Sequence, residues 1–91
     1  MADGVSRSPL SVRRTFLIEA QKHSDVVLRV LGLFAVQDAE ILVLEAAQGA
    51  LLTSIRIETG GLAEGAAQHL VERLRAMPAV TGVGLGWRAV A

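Results

Sequence analysis

The sequence predicts a single α+β domain with the element order βαββαβ, in which two helices cover one face of a four-stranded antiparallel sheet. Three observations lead to this fold. The chain has 91 residues, which is enough for one domain and too few for two. Apolar residues alternate with polar ones in some segments and recur at helical spacing in two others. Glycine, proline or short polar stretches separate these segments.

The first half of the chain is predicted to hold one strand and one helix. Residues 1–14 combine glycine, serines, a proline and three arginines with few groups to bury, so we expect a leader without fixed structure. The domain then comprises residues 15–91, and its first strand covers residues 15–20. Ser24 is the predicted N-cap of a helix that runs from residue 25 to residue 37 or 38. The inner face of this helix consists of Val26, Val27, Val30, Leu31 and Phe34.

The second and third strands are predicted to form a hairpin. The aliphatic run at residues 40–46 is typical of a strand that is buried on both faces. After a turn at Gln48 and Gly49, residues 52–59 alternate regularly. Their inward side chains are Thr53, Ile55 and Ile57, and their outward side chains are Ser54, Arg56 and Glu58.

The last third of the chain is predicted to hold a helix over residues 62–77, which ends before Pro78, and a strand over residues 80–90. Leu62, Ala66, Leu70, Leu74 and Met77 share the inner face of this helix. Val83, Leu85 and Trp87 share one face of the strand, and glycines occupy positions 82, 84 and 86 on the other. This glycine face indicates either close approach of another chain or poor packing. Two right-handed crossovers joined by the hairpin complete a ferredoxin-like fold.

Composition and charge exclude several classes of protein. Nine basic and nine acidic residues cancel, so we expect neither a nucleic-acid nor a membrane partner. The absence of cysteine excludes a disulfide scaffold and a thiolate metal site. No segment resembles a signal peptide or approaches the roughly 20 apolar residues of a membrane helix, so a cytoplasmic protein is expected. Hydrophobic residues make up 52% of this short chain, and this surplus favours a homodimer or a higher homo-oligomer.

No combination of side chains has the spacing of a catalytic or metal site. His23 is predicted in a solvated loop and His69 on a helix surface, without metal-ligand spacing between them. The glycines at 82, 84 and 86 do not form a phosphate-binding loop, because such a loop follows a strand and precedes a helix. An RNA-binding sheet would need aromatic residues on its central strands, and the predicted third strand has none, which argues against RNA binding as the function. We therefore predict no catalytic residue, no metal and no cofactor.

Residues 27–41, VLRVLGLFAVQDAEI, and residues 70–83, LVERLRAMPAVTGV, carry a resemblance to a known family. From Phe16 onward the chain resembles the ACT domain, a small regulatory amino-acid-binding module, and RVLGLF at residues 29–34 is similar to the first helix of acetolactate synthase small subunits. The resemblance implies a non-catalytic subunit that activates or stabilises a thiamine-diphosphate-dependent catalytic subunit in branched-chain amino-acid biosynthesis. A free-standing amino-acid-binding module that regulates another enzyme is the alternative, and an enzyme in its own right ranks last.

The resemblance also implies where a small amino-acid effector would bind, which is a dimer interface. In this chain the candidate ligand-binding residues are Lys22, His23, Ser24, Asp25 and Val26 of one copy, facing Ile41 and Leu42 of the other. Backbone groups at the helix start would provide most of the recognition. The chain lacks the glycine that ligand-binding family members usually carry here, and Asp25 would repel a carboxylate. This departure favours a subunit that binds a catalytic partner over one that binds an amino acid.

Overall fold

Four strands and two helices follow each other in the predicted order. The computed structural model describes the backbone of residues 11–90 and the side chains of residues 12–87. The elements are β1 (Ser11–Gln21), α1 (Val26–Val36), β2 (Glu40–Gln48), β3 (Leu52–Gly60), α2 (Glu64–Arg75) and β4 (Val80–Val90). The strands form one sheet in the order β2-β3-β1-β4, and all neighbours are antiparallel. The ferredoxin-like βαββαβ fold is thus confirmed.

The hydrophobic core lies between the two helices and one face of the central strands. Its fully buried large side chains come from the sheet and from both helices: Phe16, Ile18, Ile55 and Ile57 from β1 and β3, Val30 and Phe34 from α1, and Leu70 and Leu74 from α2. The rings of Phe16 and Phe34 meet edge to face, with centroids 4.9 Å apart and an interplanar angle of 88°. The predicted inner face of α1 is therefore confirmed, whereas that of α2 is confirmed at Leu70 and Leu74 but also includes the buried Ala67 and Val71.

Strand β1 begins at Ser11, four residues before the predicted start. Arg13 pairs with Gly60 of β3, and Arg14 pairs with Trp87 of β4. The two charged arginines favour a solvated leader when the sequence is considered alone. Strand pairing, however, uses backbone groups and depends on the neighbouring strands and not on side-chain polarity. Residues 11–14 therefore belong to the sheet. Residues 1–10 lie outside the described part of the chain, and the leader proposed there stays a prediction.

The prediction that residues 40–46 are buried on both faces is wrong. Within residues 11–90, β2 is an edge strand that pairs only with β3, and it contributes no residue to the described core cluster. The exposed fractions are 37% for Ile41, 40% for Leu42 and 43% for Leu44. The helices pack over β1 and β3, so the aliphatic side chains of β2 have no layer above them. The structure thus leaves an apolar edge open to solvent.

Helix α2 is shorter at both ends than the predicted helix over residues 62–77. Gly61 has a φ of 69°, and Ala63 is extended, with φ −65° and ψ 153°. These backbone angles prevent a helix from starting before Glu64. Leu62 and Met77 still pack against the core from outside the helix, as their predicted positions on the inner face require. None of the described helices is long and apolar enough to cross a membrane.

Candidate functional site

The loop between β1 and α1 carries four of the predicted ligand-binding residues, Lys22, His23, Ser24 and Asp25, and all four are exposed. The backbone N–H of Lys22 donates to the carbonyl oxygen of Leu51 at 3.3 Å. This hydrogen bond ties the loop to the turn of the β2–β3 hairpin. The loop therefore lies at the end of the sheet where β2 finishes and β3 starts.

Asp25, and not the predicted Ser24, occupies the N-cap position of α1. Its side chain makes no capping hydrogen bond and instead forms an ion pair with Arg29, with 3.1 Å between Asp25 Oδ2 and Arg29 Nε. The carboxylate is drawn toward a cation one turn along the helix, which competes with capping. Arg29 also offsets the negative charge that Asp25 would present to a ligand carboxylate.

The backbone of the helix start is only partly free to bind a ligand. Val26 N–H donates to His23 O at 3.3 Å, and Arg29 N–H donates to Asp25 O at 3.0 Å. Within the described residues, the N–H groups of Val27 and Leu28 have no backbone acceptor. These two donors point along the helix axis at its positive end, where an anionic group is stabilised.

Val26 cannot offer its side chain to a ligand at the predicted site. It is 0% exposed and packs with Ala20 and Ala79 in a small cluster below the loop. The predicted contact residue is therefore a core residue, because the first apolar position of an amphipathic helix faces the sheet.

Ile41 and Leu42 lie at the opposite end of the sheet from this loop. Ile41 pairs with Thr59, whereas Gln48, at the loop end of β2, pairs with Thr53. Gln48 is seven positions after Ile41 along the strand, which corresponds to about 23 Å. A single chain therefore does not bring the two halves of the predicted ligand site together.

The sheet face opposite the helices carries a shallow groove of about 580 Å³. The groove crosses all four strands and is lined by Leu17, Glu19, Glu45, Arg56 and Gly84, among others. Leu17 is 55% exposed at its centre. The glycines of β4 share one face of the strand, as predicted, and the pairing with β1 makes this the open sheet face. A Cβ atom built at Gly82 or Gly86 would meet no described atom within 4 Å. Along β4, this open sheet face thus presents glycines without side chains, and near β2 it presents the charged side chains of Arg56 and Glu45.

Glu58 lies on the open sheet face, but the prediction that it faces water is wrong. It is only 5% exposed, because Arg13 and Arg56 lie over it. Glu58 Oε1 is 3.5 Å from Arg13 Nη1, and Glu58 Oε2 accepts a hydrogen bond from Arg56. Arg56 also pairs with Glu45 at 2.8 Å. A carboxylate held by two guanidinium groups is an ion-pair network, which gives it no role as a general base.

A second groove, of about 650 Å³, lies between α2 and the edge strand β4. Its lining includes Arg14, Arg75 and Trp87, and Trp87 is 68% exposed. Sequence reasoning missed this groove, because it depends on how α2 packs across the sheet. The one available signal was a tryptophan placed near the chain end on an edge strand.

The two histidines do not form a site. His23 and His69 are both exposed, on the β1–α1 loop and on α2 respectively. Over the described residues, no group of three or more histidine, aspartate or glutamate side chains lies close enough to hold a metal ion.

Several solved structures are similar to this chain. The ACT domain of GTP pyrophosphokinase from Chlorobium tepidum matches with a TM-score of 0.74 and 12% identity, over 84% of this chain and 99% of that one. The C-terminal domain of MgtC from Mycobacterium tuberculosis matches with a TM-score of 0.66 and 14% identity, over 87% of each chain. A putative PII-like signaling protein from Thermus thermophilus matches with a TM-score of 0.64 and 19% identity, over 91% of this chain and 93% of that one.

Sequence comparison adds no family assignment. No protein-family model matches the chain, and no curated protein matches it significantly. At identities between 12% and 19% the structural matches establish the fold alone. The chain therefore has the βαββαβ fold of ACT domains.

Proposed function

We propose that this chain is a cytoplasmic, non-catalytic regulatory subunit of the ACT kind, which works as a homodimer and binds a catalytic partner. The resemblance of residues 29–34 to acetolactate synthase small subunits indicates the partner, a thiamine-diphosphate-dependent synthase of branched-chain amino-acid biosynthesis. The observation that carries the proposal is the open apolar edge of β2 in a chain with the fold of ACT domains.

The edge of β2 is suited to pairing with a second copy of itself. Ile41, Leu42 and Leu44 are each more than one-third exposed on a strand that contains no proline. Apart from a register shift between Ile41 and Val43, the described chain leaves this edge uncovered, and an exposed edge with aliphatic side chains invites strand pairing with another chain. An isologous contact between two β2 strands extends the sheet across both copies and buries these side chains.

The same contact would reunite the two halves of the predicted ligand site. In an antiparallel pairing centred near Leu44, Ile41 of one copy lies opposite Ala47 of the other. Ala47 belongs to the end of β2 beside the hairpin turn, to which the Lys22 backbone is bonded. Ile41 and Leu42 of one subunit then lie at the end of the sheet that carries the β1–α1 loop of its partner. This geometry supports the dimer-interface site that the sequence predicts.

Surfaces outside the dimer contact remain for the catalytic partner. On α1, Leu28 is 72% exposed and Val36 is 74% exposed, and Leu17 is exposed on the open sheet face. The glycines of β4 let another chain approach that face closely. We place the catalytic subunit on the open sheet face, on the first helix, or across both.

A free-standing amino-acid-binding module is the second candidate, and the Asp25–Arg29 ion pair favours it. Because Arg29 offsets the charge of Asp25, the free N–H groups of Val27 and Leu28 can still receive a carboxylate. A thermal-shift screen against the twenty amino acids separates the candidates, because a ligand of the folded state raises the melting temperature. Stabilisation by one amino acid without any recovered synthase supports this candidate. Recovery of a synthase from the native cell supports the first.

A further inference from the structure

Helix α2 and the edge strand β4 border a groove of about 650 Å³ that neither the β2 contact nor the β1–α1 loop uses. We propose that this groove binds an extended peptide segment of another protein, with acidic side chains at both ends, which adds to the sheet as a strand beside β4. This inference goes beyond the proposed function and does not depend on it.

The backbone of β4 is oriented to receive such a strand. The carbonyl oxygen of Val83 accepts a hydrogen bond from Arg75 Nη2 at 3.4 Å, so it points away from β1 toward the outer edge. Backbone groups of an antiparallel strand alternate in direction with a period of two residues. The N–H and C=O groups of Leu85 and Trp87 therefore also point outward. In the described chain β4 pairs only with β1, which leaves these groups for an added strand.

The groove has the length and character of a short extended peptide. One wall is a row along α2 from Glu64 to Arg75, which spans about 16 Å and matches about five residues of extended chain. The other wall is the β4 side chains at Val83, Leu85 and Trp87. Trp87 is 68% exposed, so its ring is free to cover an incoming side chain. Alternate side chains of an added strand would enter this groove.

The remaining side chains of such a peptide would lie beside the glycines of β4. A Cβ atom built at Gly86 would meet nothing within 4 Å, and one built at Gly84 would meet only Leu17 Cβ at 4.0 Å. Within the described residues, no side chain therefore covers Gly84 or Gly86 in a way that would obstruct bulky residues of the incoming strand. Of the two interpretations of the glycine face that the sequence leaves open, this proposal favours the close approach of another chain.

The charges of the groove select an acidic peptide. Arg14 stands at the Trp87 end and Arg75 at the Val83 end, and within the described residues neither forms an ion pair. Among the described residues, Arg14 donates through Nε alone, to Leu62 O at 2.7 Å, which leaves its two terminal nitrogens available. Glu64, the one acidic residue of the lining, begins α2 beside Leu62 and so lies at the Arg14 end, which makes the Val83 end, with Arg75, the more cationic of the two. Acidic groups at both ends of a bound strand would meet these guanidinium groups.

The same charges disfavour the other two occupants. Residues 1–10 of this chain carry one acidic residue, Asp3, and one arginine, Arg7, so they lack the required pattern. A second copy would bring its own Arg14 and Arg75 to the groove, because an isologous contact repeats every charge.

The experiment titrates the isotope-labelled full chain with an acetylated and amidated heptapeptide, Thr-Glu-Thr-Val-Thr-Glu-Thr, and follows backbone amides by NMR. Its Glu, Val and Glu side chains share one face of a strand. We expect saturable shifts at Val83, Leu85 and Trp87, and at least about five-fold weaker binding when lysine replaces both glutamates. Arg75→Ala should weaken binding about two- to five-fold. The matched control is Arg73→Ala, an exposed arginine of the same turn outside the groove, which should leave binding unchanged.

Two peptides that are N-methylated at alternate residues test strand addition itself. The peptide whose methyl groups replace the amide hydrogens that would bond to β4 should lose binding. The peptide whose methyl groups lie on the amides that point away from β4 should keep it. Equal binding by both methylated peptides, equal binding by the lysine peptide, shifts confined to β2, or no saturable shift would each overturn the proposal. Binding that requires deletion of residues 1–10 would show that these residues fill the groove. A peptide-dependent loss of oligomer mass would show that a second copy does, and either result also overturns it.

Discussion

At the scale of single residues, the most informative groups are two threonine hydroxyls in the core. Thr53 and Thr59 are 0% exposed, and neither Oγ1 atom has a hydrogen-bond partner in the described structure. A buried hydroxyl without a partner loses its hydration and gains nothing in return. Thr53 faces inward because β3 alternates, as the sequence predicts. The Thr53 side chain thus has the shape of valine, but its hydroxyl makes no hydrogen bond within the described structure.

Replacing Thr53 by valine should therefore stabilise the protein. We expect the Thr53→Val variant to have a free energy of unfolding about 1 kcal/mol higher, because a methyl group removes the desolvation cost without changing the shape. Urea denaturation followed by circular dichroism measures this change. Ser54→Ala, at the exposed neighbouring position, is the control and should stay within about 0.5 kcal/mol. A destabilised Thr53→Val variant would mean that the hydroxyl has a hydrogen-bond partner after all.

Asp25 offers a test of the proposal that the β1–α1 loop binds an amino acid. Asp25→Gly removes the charge that a ligand carboxylate would meet, and it also removes the ion pair to Arg29. We expect tighter binding of valine, leucine or isoleucine, measured by isothermal titration calorimetry. We also expect only a small loss of stability, since an exposed pair one helical turn apart contributes about 0.2–0.5 kcal/mol.

The matched control for Asp25→Gly is Ser24→Gly, which adds the same flexibility to the same loop without changing its charge. It should leave amino-acid binding as it is in the unmodified chain. Equal binding by both variants would contradict the account in which the Asp25 charge weakens the site.

Residue-scale predictions from the sequence succeed where alternation decides and fail where distant residues meet. The inward positions of Thr53, Ile55 and Ile57 follow from local periodicity. The burial of Glu58 does not, because Arg13 lies 45 positions away and reaches it only through the pairing of β1 with β3. The contact with Arg13 is thus a tertiary feature with no local signal, although Arg56 is a local neighbour two positions from Glu58 on the same strand.

At the scale of elements, β2 is the strand whose burial the sequence predicts wrongly. A run of aliphatic residues is the same in a central strand and in an edge strand that another chain will cover. By contrast, β4 spans residues 80–90 as predicted, since proline before it and alternation within it mark its bounds. The burial of a strand depends on its neighbours, whereas its existence depends on its own sequence.

A charge at the centre of the β2 edge should separate the proposed dimer. In Leu44→Lys, two lysines would face each other near the two-fold axis, and their repulsion and desolvation oppose pairing. Sedimentation velocity should give a dimer for the unmodified chain and a monomer for the variant. Leu51→Lys, in the hairpin turn at 81% exposure, is the matched control and should remain a dimer. A variant at Leu44 that is still dimeric would place the contact elsewhere.

The glycines of β4 should be replaceable without damage to the fold. Gly86→Val adds a β-branched side chain where nothing lies within 4 Å, so the free energy of unfolding should rise by about 0.5–1 kcal/mol. Thermal denaturation measures the change. If the open sheet face contacts a partner, the same variant should bind that partner more weakly while folding better. A less stable Gly86→Val variant would mean that the face is occupied within the chain itself.

At the scale of the whole molecule, the fold follows from the sequence and the functional site does not. Element order and helix faces come from periodicity, and they suffice for the βαββαβ sheet. The predicted ligand site is split between the loop at residues 22–25 and Ile41 at the far end of β2. Local patterns cannot show whether a second copy brings these parts together. Nor can they reveal the groove between α2 and β4, which exists only after the helix packs.

The central claim, that the chain regulates a catalytic subunit, is tested most directly by reconstitution. The purified chain is added to the thiamine-diphosphate-dependent acetolactate synthase catalytic subunit of the same cell, and acetolactate formation is measured against the chain's concentration. The account predicts saturable activation, with the chain alone inactive and Gly86→Val less effective than the unmodified chain. Synthase activity that is unchanged at saturating concentrations of a correctly folded dimer would contradict it.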